Sequence, residues 1–393
     1  MAIKVVLFED SKYTNFFPIS RMRTVADIRT GRYTQKERAV TIFNCPVIVH
    51  SEREGFGDKI KLDKDTLFFN ARVINFDKIK DIKKGVAILN KNGEIIAYYS
   101  EKLLSRSEIK KLKIIEEDVI LYEYIWDVIA KLKEQLEKDI HNSKELGKLL
   151  SPINNSIHIE NKDNVYIGKD TKIENGVVLD ASSGPIYIED KCFIRAGTVI
   201  DGPAFIGDKT LVKPGSLLDV VSIGKISKIS GEIEETIFQG YSNKQHFGFL
   251  GHSYVGEWVN LGAGTTNSDL KNNYSAVRVN LMEEEYQTEM QFLGLMMGDH
   301  CKTAINTSFN TGTIIEPFCN IFGRNFPPKY LPPFTWWGDY FSEYKLDKAV
   351  DTAKKVMKRR NIEMDEKYED RVKKIFIDTK NLREKLQERR KHG

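Results

Sequence analysis

The stretch "IEDKCFIRAGTVIDGPAFIGDKTLVKPGSLL", Ile188 to Leu218, decides the fold. Every sixth residue in it is a large aliphatic: Ile188, Ile194, Ile200, Ile206, Val212 and Leu218. The residue four places after each of the first five is small: Cys192, Thr198, Ala204, Thr210 and Ser216. A helix repeats about every 3.6 residues and a strand about every 2, so neither generates a period of six. A solenoid of hexapeptide turns does. Each hexad supplies one short strand and one corner. The aliphatic residue points into a triangular prism, and the small residue lets the chain bend tightly. Three hexads, about eighteen residues, close one coil and advance it by one strand spacing of about 4.8 Å.

The pattern extends both ways. Ile167, Ile173 and Leu179 continue it upstream, after a slip of three residues at "SSGP". Downstream the aliphatic register returns at Phe249, Val255 and Leu261, and again at Met297, Thr303, Phe309, Ile315 and Ile321. Small residues follow at Thr265, Cys301, Thr307, Thr313 and Cys319. "IGKD", "IGDK", "VGEW" and "MGDH" place glycine where a corner benefits from a permissive backbone. Two segments break the period, Gly224 to Glu235 and Asn267 to Phe292. Insertions in a solenoid leave as loops or hairpins, often on the binding face. Cys192, Cys301 and Cys319 fall in small, buried corner slots. With Cys45 they form no CxxC pair, which fits a reduced, cytoplasmic protein.

The flanks read differently. In residues 1–120, "IKVVLF", "AVTIF", "PVIVH", "DTLFFNARVI" and "GVAILN...EIIAYYS" read as strands, and "TVADIRTGRYTQKERA" as helix or loop, giving a compact α/β domain. "SRSEIKKLKII" opens with serine caps. Over 121–150, Ile125, Val128, Ile129, Leu132, Leu136 and Ile140 trace one face of a linker helix ending near His141. The solenoid takes 151–325. Residues 326–393 read as a Pro- and aromatic-rich strap over the prism end, then two helices marked by Leu346 to Met357 and Val372 to Leu386, which cap the last coil.

Charge gives little. The net charge is +4, while Lys345 to Gly393 carries 17 Lys/Arg against 10 Asp/Glu. Its mixed signs suit a solvated helix face rather than a nucleic-acid surface. No apolar run approaches the ~20 residues that span a bilayer. "MAIKVVLFED" turns acidic too soon for a secretory signal and reads as a first buried strand.

Chemistry concentrates between Asn243 and Tyr274. Gly256, Gly262 and Gly264 have a structural excuse at corners. Lys244, His246, Asn260 and Asn267 are not required by the six-residue rule, and the residues alone leave His246 open between a structural and a catalytic role. "GYSNKQHFGFLG", "GEWVNLGAGT" and "TNSDLKNNY" resemble the GlmU family and its GlmU-like group of sugar nucleotidyltransferases. The resemblance covers roughly residues 1–380. It implies a left-handed parallel β-helix of hexapeptide repeats that forms a homotrimer. It also implies acetyl transfer from acetyl-CoA to an amino-sugar phosphate and uridylyl transfer from UTP, the steps that make UDP-N-acetylglucosamine.

Matched motif by motif, the resemblance places His246 on the general base, Asn260 on a substrate-binding Asn, and Ala263 with Gly264 beside the acetyl group. Lys244 and Asn267 are further candidate substrate ligands. Two positions depart from the family: Phe249 stands for its Tyr, and Glu234 for its basic residue twelve before the His. A neutral imidazole near physiological pH suits an attacking amine, and backbone N–H groups suit the oxyanion. The first domain lacks the family's Gly-rich loop. Its "PISRMRTVADIRTG" is instead similar to the GlmU-like group's own start, a "P-x-T-x-T-R-P-V-A-x-I-R-x-G"-type run, and offers Arg21, Arg23 and Arg29 for a triphosphate (UTP or dTTP), since guanidinium suits phosphate. Asp10 and Asp127 are candidate Mg²⁺ ligands. Sugar phosphate and nucleoside triphosphate are thus the expected partners, without nucleic acid or membrane. Two alternatives stay open: Zn²⁺-dependent hydration of the trimeric β-helix type, with His246, His252 and His300 converging between neighbouring chains, and non-catalytic sugar-nucleotide binding.

Overall fold

The structure is a computed structural model and describes residues 4–59, 65–323, 325–338 and 341–391. It contains two compact units. The first takes Met1–Phe16, Arg23–Ile28 and Tyr33–Asp127; the second takes Phe17–Met22, Arg29–Arg32 and Val128–Gly393.

The first unit is built on a six-stranded mixed sheet. Its strands are β1 (Lys4–Phe8), β2 (Val47–His50), β3 (Thr66–Asn70), β4 (Val86–Leu89), β5 (Ile95–Ser100) and β6 (Lys113–Glu116), in the order β2-β1-β3-β5-β4-β6. β1 runs parallel to β2 and β3, while β5 is antiparallel to β3 and β4. Val6, Phe68, Ala87, Tyr98 and Ile109 form a buried cluster, with Phe68 and Tyr98 stacked at 4.5 Å. "AVTIF" does not form the expected strand. It is the second half of helix α1 (Gln35–Phe43). Thr34 Oγ1 accepts from Glu37 N at 3.1 Å, and Glu37 accepts from Thr34 N at 2.8 Å. This capping box fixes a helix start that overrides the β preference of Val, Thr, Ile and Phe. Ser105 caps the short α2 (Arg106–Ile109) in the same way. The linker pattern forms two helices, α3 (Ile125–Ala130) and α4 (Leu132–His141), separated at Lys131. Leu132, Leu136 and Ile140 are buried, and α4 packs on solenoid strands Val199–Ile206, Leu217–Ile223 and Glu232–Phe238.

The second unit is a parallel β-solenoid of about ten turns, from His158 to Trp337. One row of strands shows the logic: Lys172–Ile173, Phe193–Ile194, Leu211–Val212, Lys228–Ile229 and Asn243–Lys244 pair in parallel, each one coil above the last. Inward residues from every row merge into one core running from Ile157 to Leu331, including the expected aliphatics and all three corner cysteines. Thr198, Thr210, Ser216, Thr265, Thr307 and Thr313 are buried in the small slots.

Three expectations change. Leu250, not Phe249, points inward, because Leu250 pairs with inward Ile233. Gly224 to Glu235 is not an insertion. Lys228–Ile229 stays in the row, and the coils shorten instead: Val212 to Ile229 spans 17 positions and Ile229 to Lys244 spans 15, against 18 from Ile194 to Val212. The region read as a strap winds one more turn of solenoid, since Tyr330–Leu331 and Thr335–Trp337 pair with Ile314–Ile315 and Asn320–Ile321. The other interruption does leave the prism, as the antiparallel hairpin Arg278–Leu281/Glu284–Gln287.

Three C-terminal helices follow rather than two: α5 (Leu346–Lys358), α6 (Glu366–Asp378) and α7 (Lys380–Lys391). Ala349, Val350, Ala353, Val372 and Ile375 pack with Phe318 and Phe334 on the side of the solenoid. Only Leu386 of α7, beside Trp337, reaches the main core.

Candidate active site

His246 stands on a corner of the solenoid. The turn Gln245–Gly248 lies against the next turn, Gly262–Gly264, which lies against Ala304–Asn306. Leu261 N donates to Asn243 O at 2.9 Å, Gly264 N to Phe247 O at 3.1 Å, and Asn306 N to Ala263 O at 2.6 Å. The approach is close enough to demand glycine. A Cβ on Gly248 would lie 2.2 Å from Thr265 O, and one on Gly264 would lie 2.2 Å from Asn306 Oδ1. Gly264 also has φ +73°, in the left-handed region.

The His246 side chain is exposed, and its ring makes no hydrogen bond among the described residues. In the facing turn, Gly262 N donates to Thr303 Oγ1 at 2.9 Å and Gly264 N to Phe247 O, while the Ala263 N–H has no protein acceptor among the described residues. The corner therefore offers an imidazole and, on the adjoining turn, an uncommitted backbone donor at Ala263. Phe247 and Ile305, each 69% exposed, and Phe322, 48% exposed, continue an apolar edge along it.

Lys244 does not reach this surface. Its side chain occupies the inward row of Ile173, Ile194, Val212, Ile229 and Leu261, and is 1% exposed. The ammonium donates to Ser230 O and His246 O, both at 3.0 Å. Burial lowers its pKa to about 8. The space exists because Gly231 has no side chain; a Cβ there would lie 2.8 Å from Nζ. Lys244 thus holds the backbone of the His246 turn from below, rather than presenting a charge to solvent. Asn260 is exposed and bridges the strands of Asn243 and Lys302. Asn267 is buried and clamps Gly251, accepting from its N–H at 3.0 Å and donating to its carbonyl at 3.1 Å.

The six-residue rule carries no signal for the environment of His252. Its Nδ1 lies 2.9 Å from Asp269 Oδ2, its Nε2 3.5 Å from Glu235 Oε2, and its ring stacks on Phe292 at 5.1 Å. Burial pushes the imidazole down, but hydrogen bonds to Asp269 and Glu235 outweigh it and raise the pKa to about 9. Glu235, His252 and Asp269 stand 17 residues apart, one shortened coil each, a spacing the six-residue rule does not contain. His300 is buried, hydrogen-bonds Tyr368 Oη at 2.8 Å and stacks on Phe318. Among the described residues no three His, Cys, Asp or Glu side chains of the one chain are grouped to hold a metal.

The three arginines expected on a triphosphate have separate surroundings. Within the second unit, Arg21 makes a bidentate pair with buried Glu316 (3.0 and 3.1 Å) and lies over Phe17, while Arg29 donates to Arg32 O and lies 5.3 Å from the Phe205 ring. Within the first unit, Arg23 is buried, and its carbonyl accepts from Arg53. Asp10 does not fit a Mg²⁺ ligand as arranged. Arg72, 1% exposed, bonds Asp10 at 2.8–3.2 Å, Glu94 at 2.7 Å and Glu123 at 2.9 Å, filling the place a cation would take. Lys12 adds a second positive group, 2.9 Å from Glu94 and 2.6 Å from Glu123. Asp127 Oδ2 is committed to the start of α3, accepting from Glu123 N at 2.7 Å and Tyr124 N at 2.9 Å.

Residues 5–145 match the family model described as "Sugar nucleotidyl transferase". The chain is 35% identical over 143 residues to a bifunctional sugar-1-phosphate nucleotidylyltransferase/acetyltransferase of Sulfurisphaera tokodaii, covering 35% of each protein. It is 30% identical over 90 residues to a bifunctional GlmU protein of Methanocaldococcus jannaschii, covering 23% of this chain and 22% of that one. Over its first third the chain is thus similar to sugar nucleotidyl transferases. In each case the match spans a third or less of the relative's length, roughly, so it names kinship rather than a whole activity. The UDP-N-acetylglucosamine acyltransferase of Campylobacter jejuni aligns over 58% of this chain and 97% of its own, with 14% identity and a TM-score of 0.29. The match to the family model contains Asp10, Arg21, Arg23, Arg29 and Asp127; the His246 corner lies outside it.

Proposed function

We propose that this chain is a sugar-phosphate transferase of nucleotide-sugar synthesis, of the UDP-N-acetylglucosamine type. Its solenoid transfers acetyl from acetyl-CoA to the amine of an amino-sugar phosphate. One observation carries this reading: an exposed imidazole, His246, on a turn adjoining Gly262–Gly264, whose Ala263 N–H is uncommitted. The neutral ring takes a proton from the amine as nitrogen attacks the thioester carbonyl. The Ala263 N–H, next to Gly264, stabilises the tetrahedral oxyanion. Collapse expels the CoA thiolate, which takes the proton back from the imidazolium. Asn260, exposed one strand away, is the side chain best able to orient the sugar; Asn267 acts on the backbone of Gly251 instead.

A homotrimer belongs to the same reading. The edge of Phe247, Ile305 and Phe322 is apolar and exposed beside the site, which favours a second copy closing the groove. A cytoplasmic location fits the free cysteines, and no helix among the described residues is long and apolar enough to cross a membrane.

The first unit is proposed to transfer a nucleotidyl group from UTP or dTTP to a sugar 1-phosphate, supported by the family match over 5–145. Arg23 remains a candidate for its triphosphate. No step is drawn through Mg²⁺, because Arg72 and backbone amides occupy Asp10 and Asp127. Two assays on the purified chain test the activities separately. Thiol release from acetyl-CoA should appear only when glucosamine 1-phosphate or another amino-sugar phosphate is present. Pyrophosphate release should need both a nucleoside triphosphate and a sugar 1-phosphate. Failure of the first with every amino-sugar phosphate removes the acetyl-transfer reading.

A further inference from the structure

Five positions on one outward row of the solenoid carry hydrogen-bond donors, of which the Lys302 ammonium is already committed to His300 O at 2.9 Å. Lys228 pairs in register with Asn243, Asn243 bridges to Asn260, Asn260 to Lys302, and Lys302 pairs with Asn320. At about 4.8 Å per rung these five positions form a strip about 19 Å long that holds no carboxylate. The buried Asn320 has an amide Nδ2 with no hydrogen-bond partner. At the end of α5, Arg360 reaches the strip and donates to Asn243 Oδ1 at 2.9 Å, with exposed Arg359 beside it. Lys213 adjoins on the other side, where its N–H donates to Ile229 O.

Among the described residues, none of Lys213, Lys228, Arg359 and Arg360 pairs with a carboxylate. Elsewhere on α5 the cations have partners: Lys354 meets Glu369 at 2.6 Å and Lys355 meets Asp351 at 2.7 Å. Basic residues at a helix C-terminus complement its dipole. That accounts for Arg359 and Arg360 but not for Lys228, a strand residue whose pKa is lowered by burial and by Arg360, Arg359 and Lys213. Like charges gathered without a counterion raise the free energy of the empty surface, and a bound anion relieves it.

We propose that Lys228, Asn243, Asn260, Arg359 and Arg360 form a binding strip for the phosphate groups of a phosphorylated ligand. Guanidinium forks suit phosphate oxygens, and the amides add neutral donors. The reacting end of that ligand is assigned to the His246 corner. Asn243 and Asn260 each lie three residues before His246 and Ala263, a reach of up to about 10 Å of chain. This assignment of the far end rests on the acetyl-transfer reading; the anion site itself does not. The phosphates of coenzyme A and those of a sugar phosphate are the two sources of the same chemistry.

Calorimetric titration of the full chain with coenzyme A, glucosamine 1-phosphate and inorganic pyrophosphate tests it. Wild type is compared with R359Q/R360Q, K228Q and the charge-keeping R359K/R360K, each checked for an unchanged melting temperature. The strip predicts at least a tenfold loss of affinity for one or more of these ligands in the glutamine variants. It also predicts a shallower dependence of affinity on salt, and retention of most binding in R359K/R360K. Loss confined to coenzyme A assigns the strip to the acyl donor; loss confined to the sugar phosphate assigns it to the acceptor. Equal affinities in wild type and glutamine variants overturn the proposal. So does a wild type that binds none of the three, or one that binds only a single-stranded oligonucleotide. Binding intact with no acetyl transfer would sink the acetyl-transfer reading and leave the strip standing.

Discussion

At the scale of the residue, two ionisable groups, buried Lys244 and half-buried His252, make opposite predictions for pH. Lys244 has a folded pKa of about 8, below the ordinary lysine value of about 10.5. Below pH 8 the folded and unfolded chains both hold the proton, and burial of the charge costs on the order of 3 kcal/mol. Between about pH 8 and 10.5 the unfolded state binds more protons, so Lys244 makes stability rise with pH. Lys244→Met should remove that rise. At pH 7 it should change stability by no more than about 2 kcal/mol, because relief of the buried charge offsets two carbonyls left without a donor. Chemical denaturation at pH 7 and pH 10 reads both effects. His252 runs the other way. Its folded pKa of about 9 lies above the ordinary 6.5. Its contribution is therefore complete below about pH 6.5 and lost as pH rises through 9. His252→Gln should cost on the order of 2 kcal/mol at pH 6 and little at pH 9.5.

Residue chemistry was unevenly legible. His246 stood out because the six-residue rule does not require it, and Ala263 only through the family resemblance. Lys244 misled, since sequence cannot tell a lysine inside an aliphatic row from one on the surface. Its position fifteen residues after Ile229, rather than eighteen, hid the row it belongs to. Asp10 and Asp127 misled for another reason. Their partners, Arg72 and the amides of Glu123 and Tyr124, are set by tertiary contacts or by a local cap.

At the scale of the element, the six-residue period was read almost completely, because each buried aliphatic repeats the same constraint. It failed where coils change length: Phe249 stood in for Leu250, and a shortened coil passed for an insertion. It failed again at "YLPPFTWW", where prolines masked a last turn whose Leu331 is still in the core. In the first unit, hydrophobic run length suggested a strand at "AVTIF", while the capping box two turns upstream decided for helix. Thr34→Ala should therefore destabilise the first unit by about 1 kcal/mol, seen as a lower midpoint in urea. On α4, Leu136 is fully buried against the solenoid strands. Leu136→Ala should cost about 2–5 kcal/mol by loss of apolar burial and the cavity left behind.

At the scale of the whole molecule, the sequence indicated an α/β unit and a parallel solenoid but not how segments are shared between them. Phe17–Met22 and Arg29–Arg32 belong to the solenoid unit although they lie inside the first 35 residues, a matter of long-range contacts such as Arg21 with Glu316. The exposed edge beside His246 predicts assembly. Sedimentation should give a trimer for the wild-type chain, and Phe247→Asp with Ile305→Asp should shift it to monomer. The central claim is that His246 takes a proton during acetyl transfer. The direct measurement is single-turnover acetyl transfer from acetyl-CoA by His246→Ala, run beside coenzyme A binding. The account predicts transfer slowed by about 10²–10⁴-fold, with coenzyme A affinity unchanged within threefold, roughly. Transfer at the wild-type rate in that variant would contradict it.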